Sequence, residues 1–444
     1  MSMLLNGVSG LNAANSALGA VSQNVANAAV KGYSRQTVYL ETAAGGLNGV
    51  KVTKVDRIVN SFLNDDIWRT SADTGYYEGF QSYIGYLEQI LGTESLNLND
   101  AVAGIRASFN AAMSAPDSAA YRQQALSSAQ SLVQDIAQIN GALSDQQAKL
   151  GKELSDLADN SSSLLQQIAE MNSKISKAMA LGQPVAELSD ARENLVTELS
   201  GYLGVDITDV GDGNLNISSK NGAPLVVGSK AAAVSVTGTS VDVSFNSQNF
   251  ALNEFVGGRI GGLLNVDATV LQPSKLQLET IVSNVADSVN TALSEGFDLN
   301  GLPGQPLFNY NPLDVLGTFG VNTALGPDDL AFTGRVDDGF GNWIPSGGRG
   351  DNGNIANLVS ALNGSMTGYD TLIGDLAIQS KQVQSSVKTA QLLKDNALAA
   401  RDSVSGVNLD EEAANLMFYQ QLYDANARVI STADQLFKTL INIF

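Results

Sequence analysis

The sequence contains no cysteine and no histidine. Without cysteine there are no disulfide staples and no thiolate metal ligands. Without histidine a serine or cysteine nucleophile has no imidazole to take its proton, and zinc loses its commonest nitrogen ligand. Charge is scarce too, at 16% Asp, Glu, Lys and Arg, against roughly 25% in an average soluble protein. What charge there is leans one way, with 45 acids against 25 bases and a net charge of −20. That balance opposes nucleic acid and anionic lipid, where affinity comes from Lys and Arg displacing counterions, so no nucleic-acid partner and no membrane partner is expected. Aromatics are only 6%, so the cores of these 444 residues must be filled by Ala, Leu, Ile and Val, as in long helical bundles. The length suggests about three domains.

Residues 1–30 carry no charged side chain. A signal peptide calls for basic residues at its start, whereas the first base here is Lys31, and a spanning helix does not tolerate Asn6, Asn12, Asn15, Gln23, Asn24 and Asn27. Within the stretch, Leu4, Val8, Leu11, Ala14, Leu18, Val21, Val25 and Ala28 recur at steps of three and four, an apolar seam along one helix. Its flanks are polar without charge, which suits surfaces packed against neighbours. The other end of the chain repeats the pattern. Leu409, Ala413, Leu416, Gln420, Tyr423, Ala427, Ile430, Ala433, Phe437, Leu440 and Phe444 again step by three or four. Two such seams can pair, which would start and end the chain in one rod-shaped unit.

Between the ends, alternation at Tyr33, Thr37, Val38 and Tyr39, then at Val50, Val52 and Val55, predicts a hairpin-like excursion around an Ala-Gly-Gly turn. Helices are expected over 59–95 and 98–114, followed by a Pro116-Asp117-Ser118 turn in which Asp or Ser caps the next helix. From 118 to 180 the rhythm Leu150, Leu154, Leu157, Ser161, Leu164, Ile168, Met171, Ile175 predicts a very long helix, with interruption possible near Gly141 or Gly151. The period changes to two from Val205 to Asn253, and returns to helical over 258–295, where Pro273 predicts a kink. Residues 296–352 are rich in Gly, Pro, Asn and Asp, and helices resume at 353–363 and 366–403.

The expected fold is mainly α with an inserted β domain: paired coiled-coil-like terminal helices, an elongated helical bundle and a small antiparallel β domain. The expected division is 1–58 with 404–444 as a terminal-helix assembly domain; 59–202, 256–299 and 353–403 as the bundle; 203–255 as the β domain; and 300–352 as a loop-rich insertion.

Candidate chemistry is thin. Gly348-Arg349-Gly350-Asp351-Asn352-Gly353 fits a dinucleotide fingerprint in letters, but Pro345-Ser346-Gly347 stands where a strand is needed. It reads as a turn whose Asn or Asp caps the next helix, and the embedded Arg349-Gly350-Asp351 as a chance adhesion tripeptide. Paired acids occur at Asp65-Asp66, Asp328-Asp329, Asp337-Asp338 and Asp410-Glu411-Glu412. Glycan hydrolysis needs carboxylates facing across an aromatic cleft, so solvated faces and helix N-termini suit them better, notably for Asp410-Glu411-Glu412 at the start of the last helix. Gly257-Gly258 and Gly261-Gly262 predict close helix approach. No catalytic, cofactor-binding or metal-binding residue is expected.

Asn24-Val25-Ala26-Asn27 followed by Val30-Lys31-Gly32-Tyr33-Ser34-Arg35-Gln36 resembles the N-terminal signature of the bacterial flagellar rod, hook and hook-associated proteins, and its Tyr-Ser-Arg-Gln ending is similar to the hook-associated branch. Ser403-Val404-Ser405-Gly406-Val407-Asn408-Leu409-Asp410-Glu411-Glu412, with Tyr419-Gln420-Gln421 and Ala425-Asn426-Ala427, resembles its C-terminal counterpart. Leu188-Ser189-Asp190-Ala191-Arg192, Leu195-Val196-Thr197-Glu198-Leu199 and Gly261-Gly262-Leu263-Leu264 agree with the same family. The resemblance departs at 300–350, where many relatives carry a larger outer domain.

The resemblance implies a structural, non-catalytic adaptor of the flagellum at the junction between hook and filament, required for filament assembly. It implies export through the flagellar type III apparatus, an export chaperone at the C-terminal helix, and a ring or helix of about eleven copies. It also implies contact with the hook protein and with the next junction protein, hook-associated protein 3, and an extracellular location. The expected assembly-interface residues are Leu4, Val8, Leu11, Leu18, Val21, Val25, Leu409, Leu416, Tyr423, Ile430, Phe437, Leu440 and Phe444. The family-signature residues are Asn24, Asn27, Gly32, Tyr33, Ser34, Arg35, Gln36, Ser405, Gly406, Val407, Asn408, Leu409, Glu411 and Glu412. A rod or hook subunit is the alternative within the class, and an exported cell-wall glycan-acting enzyme the alternative outside it.

Overall fold

A computed structural model describes residues 2–43, 49–93 and 96–443. Helix α1 (Ser2–Asn27) leads through an irregular turn into the hairpin β1 (Gln36–Thr42) and β2 (Val50–Arg57), antiparallel with Gln36 opposite Arg57. The hairpin expected over 30–58 is therefore present, while residues 44–48, with most of its Ala-Gly-Gly turn, lie outside the described residues. Helices α2 (Ser61–Gly92), α3 (Leu98–Ala112), α4 (Ala119–Ala180) and α5 (Ala186–Tyr202) follow. Asn60 and Asn97 cap α2 and α3 by accepting from the backbone N–H two residues on, at 3.1 and 3.0 Å. Ser118 occupies the cap position of α4 with no side-chain bond, so the turn is set by Pro116 and not by a hydroxyl.

α4 runs for 62 residues without a break, about 90 Å at 1.5 Å per residue. The stripe Leu126, Leu132, Ile136, Ile139, Leu143, Leu150, Leu154, Leu157, Leu165, Ile168 and Ile175 is buried along its whole length. Each such side chain contributes on the order of 1.5–3 kcal/mol on burial, which outweighs the ~1 kcal/mol that each glycine costs in a helix. Gly141 and Gly151 therefore do not interrupt it. Gly151 instead lets the backbone of Gly238 come within 3.2 Å of where a Cβ would stand.

Two antiparallel sheets lie against α4. One contains β3 (Val205–Asp209), β4 (Leu215–Ser219), β5 (Pro224–Val227) and β6 (Lys230–Ala231) in sequence order, the other β7 (Ala233–Thr237), β8 (Ser240–Phe245) and β9 (Gln248–Leu252). Asn246 and Ser247 both have positive φ, 47° and 65°, the two-residue turn whose twist matches a hairpin. Ser162 of α4 accepts from Val234 N at 2.8 Å, pinning β7 to the helix. Asn172 of α4 donates to Leu215 O and Gly228 O, both at 2.8 Å, and accepts from Arg192 of α5 at 2.8 Å.

Next come α6 (Gly258–Val266), a π-helical turn at Asp267–Leu271 and α7 (Gln272–Ser294). Pro273 falls in the first turn of α7, so the expected kink takes the form of one widened turn just before the proline, where its missing N–H costs nothing. Gly262 makes the expected close approach real: a Cβ there would sit 2.1 Å from Tyr76 O of α2. Short elements β10 (Phe308–Asn309), α8 (Val315–Thr318), β11 (Gly320–Val321), β12 (Arg335–Asp337) and β13 (Trp343–Pro345) fill the Gly/Pro-rich stretch before α9 (Ile355–Ala361), α10 (Thr367–Ser405) and α11 (Leu409–Ile443).

One continuous core joins α2 through α10, including β-sheet residues Val226, Val234 and Val243 and loop residues Leu307, Phe308 and Phe332. Fully buried Arg122 clamps the loop stretch to α4, donating to Pro116 O, Leu330 O and Pro327 O at 2.5, 2.7 and 3.2 Å over the Phe332 ring. Burial lowers its pKa to about 10, so it stays cationic at neutral pH. Among the described residues that core takes no side chain from α1 or α11.

Candidate assembly surface

α1 and α11 pack antiparallel beside the core: Gly7 and Gly10 meet Ile430 and Asn426, and Asn24 meets Glu412. The pairing expected of the ends is present, and it overlaps the expected seams only in part, at Ala14 and Val21 of α1 and at Leu416, Ile430 and Ala433 of α11. On α1 the inward face is Gly7, Ala13, Ala14, Ala17, Ala20, Val21 and Asn24. On α11 it is Glu412, Asn415, Leu416, Tyr419, Leu422, Asn426, Val429, Ile430 and Ala433. A Cβ on Gly7 would lie 2.8 Å from Ile430 Cγ1, so small residues are what allow this approach. Gln420, Tyr423 and Phe437, placed on the pairing seam by spacing alone, are exposed.

The larger apolar side chains consequently face solvent. Leu4 and Val8 are each 42% exposed, Val25 46%, Leu409 56%, Phe437 59% and Tyr423 37%. Met3, Leu5, Met417, Phe418, Leu436 and Ile441 join them. Leu11, Leu18, Leu416 and Ile430 are half-buried, and Val21 is buried inside the pair. Leu440 lies on α11, and Phe444 lies outside the described residues. This many large apolar side chains exposed on one helix pair is the kind of surface that a partner covers.

The signature residues gather at the base of the pair in one polar joint. Asn24, 1% exposed, donates to Gln36 O at 2.9 Å and Glu412 Oε2 at 3.2 Å, and accepts from Tyr33 Oη at 3.0 Å and Gln36 N at 2.9 Å. Ser405 O accepts from Arg35 N at 2.8 Å, and the Arg35 guanidinium pairs with Glu411. Gly32 has φ +81°, with Asn194 packed where a Cβ would stand. Its carbonyl accepts from Arg401 at 2.7 Å. Asn408 caps α11 through Asp410 N at 3.0 Å. Gly406 N closes α10 onto Asp402 O at 2.9 Å. Asn27 bonds within its own helix and Val407 lines a cleft.

The expectation for Asp410-Glu411-Glu412 is thus corrected in part. Asp410 is an exposed first-turn acid, Glu411 is paired, and Glu412 is 2% exposed inside the joint.

Several residues of the joint have no counterpart among the expected site residues. Arg57 Nη1 and Nη2 bind Asp190 at 2.6 Å and Glu193 at 2.8 Å, and Asp190 also accepts from Ser34 N at 3.0 Å. Burial works against the Arg57 charge, but Glu193 and Asp190 outweigh it and its pKa is raised. Burial, with the Asp190, Glu187 and Glu412 carboxylates, pushes the Tyr33 phenol up to about 12. The readable signal was Asp190 within a family-like stretch; its partner on a strand end 133 residues away was not readable.

Other candidates resolve as structure. Asp351 accepts from Ser346 Oγ, Gly353 N at 2.9 Å and Gly334 N at 3.2 Å. Its carboxylate is therefore engaged within the loop. Asn354 stands at the cap of α9 but donates to Ala292 O and Ala331 O at 2.8 Å, correcting the expected side-chain cap. Among the described residues no group of acids is placed to hold a metal, and no helix is long and apolar enough to cross a membrane.

Residues 84–308, just over half of the chain, match the family model described as the flagellar hook-associated protein FlgK helical domain. The chain belongs to this family. Residues 401–443, covering the α10–α11 turn and α11, match the model of the flagellar basal body rod FlgEFG protein C-terminal region. Similar proteins include flagellar hook-associated protein 1 of Salmonella typhimurium and that of Escherichia coli, each 26% identical over the whole of both chains. The Bacillus subtilis protein of that name is 24% identical over 97% of this chain and 96% of its own. The solved structure of the flagellar hook junction protein FlgK from Burkholderia pseudomallei covers 78% of this chain and 100% of its own at TM-score 0.68 and 15% identity, a likeness of fold. In this hook-associated family, the helical-domain match spans most of the continuous core and the rod-type match spans the helix outside it.

Proposed function

We propose that this chain is a structural subunit of the junction between flagellar hook and filament, required for filament assembly. The observation that carries the reading is the α1/α11 pair: it lies outside the core and leaves many of its large apolar side chains exposed. Side chains left uncovered in one copy are covered in a closed assembly of copies, by lateral and axial contacts together. The lateral partners are other copies in a ring or helix. The axial partners are the hook protein and hook-associated protein 3. α11 in the unassembled chain is the natural seat for an export chaperone, because its apolar face needs cover before the chain passes the flagellar type III apparatus to the cell exterior. The activity proposed is assembly without catalysis: Asp337 and Asp338 spend their carboxylates on the backbone of their own turn, from Gly339 to Asn342.

Removing 409–444 tests this directly. The core keeps its fold, and cells carrying only the shortened chain build hooks without filaments and release filament subunits into the medium. Normal filaments on those cells would overturn the reading.

A further inference from the structure

The amide of Asn24, near the end of α1, has every donor and acceptor engaged, and its partners come from two other pieces of chain: the 33–36 segment entering β1 and the first turn of α11. Clefts flank this hub on both sides. One of about 420 Å³ lies between the 28–33 turn and the core, walled by Trp68, Asn194, Arg401 and Val407. The other, about 220 Å³, lies between α1, β1 and α11, walled by Ala17, Val21, Gln36 and Tyr419. Between these open clefts Asn24, Gln36 and Glu412 are 1%, 7% and 2% exposed, so their polar atoms depend on one another for partners. The hydrogen bonds that cross the hub hold the three segments in one arrangement.

We infer that Asn24 is the positioning residue of the assembly helices, fixing the register and angle of α11 against α1 and the 33–36 segment through the Asn24–Tyr33–Gln36–Glu412 hub. This rests on the assembly reading of the outer face and adds what aims that face. The apolar surface can close against neighbours only if it is presented at one angle. The hub is suited to that because a saturated buried amide tolerates a single arrangement.

The test exchanges the polarity of the Asn24–Glu412 bond. Asn24→Asp places two carboxylates in contact and removes the donor to Gln36 O. Hydrogen exchange in purified protein should accelerate by roughly ten- to a hundredfold over 33–37 and 409–419, with exchange in α2 through α10 unchanged. Cells in which this variant replaces the parent chain should lose most filaments. Glu412→Gln alone keeps an acceptor and should behave like the parent. In the double variant the new amide donates to the new carboxylate, and both exchange protection and filaments should return in large part.

Parent-like exchange and filaments in Asn24→Asp, or a double variant no better than Asn24→Asp, would overturn the inference. Phe437→Asp separates it from the assembly reading. That change at an exposed apolar side chain far along α11 from the joint should abolish filaments while leaving exchange at the joint unaltered. Filaments that tolerate it refute the outer face as an interface without touching the role of Asn24.

Discussion

Replacing Arg57 by Ala tests how the terminal pair is tied to the core. Its guanidinium holds Asp190 at 2.6 Å and Glu193 at 2.8 Å, with side-chain exposures of 12%, 7% and 17% for the three residues. An exposed ion pair contributes on the order of 0–1 kcal/mol. This triad is mostly withdrawn from water, so removing the cation leaves two shielded carboxylates facing each other, at a cost of about 3–5 kcal/mol. Hydrogen exchange is the suitable assay, because β1 and β2 lie outside the core and can open without global unfolding. At 1.4 kcal/mol per power of ten, amides of 34–57 should exchange roughly two to three and a half powers of ten faster at neutral pH, while α4 keeps its protection. Arg57→Lys should fall between, since an ammonium cannot make two parallel bonds in a fixed fork. A change below about fivefold in Arg57→Ala, within the range of an exposed pair, would refute the argument.

Other consequences concern close approach and pH. Gly262→Ala puts a methyl 2.1 Å from the Tyr76 carbonyl oxygen, where backbone cannot yield; α2 and α6 must separate, at about 1–3 kcal/mol, read as a lower urea midpoint. Gly141→Ala meets nothing within 4 Å and should stabilise by roughly 0.5–1 kcal/mol, so equal effects of the two alanines would sink the packing explanation. Tyr33 titrates near 10.0 when free and near 12 in the folded joint. Because the folded pKa is the higher one, its stabilising effect is complete below pH 10 and is lost as pH rises toward 12. Exchange at 33–37 should accelerate across that window, and Tyr33→Phe should remove this acceleration.

Much of the fold is legible from spacing. The length of α4 and the change to period two at Val205 each follow from local pattern, because burial of a periodic stripe dominates local preference, whereas Pro273 announced a kink and not the widened turn that precedes it. The joint was legible only as two family-like stretches. Asn24 and Glu412 are 388 residues apart and Arg57 and Asp190 are 133 apart. No period links such pairs, and a polar side chain does not announce its partner. Glu412 in particular looks like any first-turn acid until α1 is laid over it.

By itself, the sequence determined that this protein would lack imidazole and thiolate chemistry, that its ends would be helices with apolar seams, the first of them uncharged, and that a β insertion would interrupt a helical body. Only the tertiary structure decided which face of each terminal helix is spent inside the chain. α1 has a Gly/Ala stripe and a Leu/Val stripe, and spacing permits either to pair. The small stripe pairs because Gly7 and the alanines let α11 come close enough to bury backbone as well as side chains. The larger side chains are thereby left facing outward, free to be covered by neighbours.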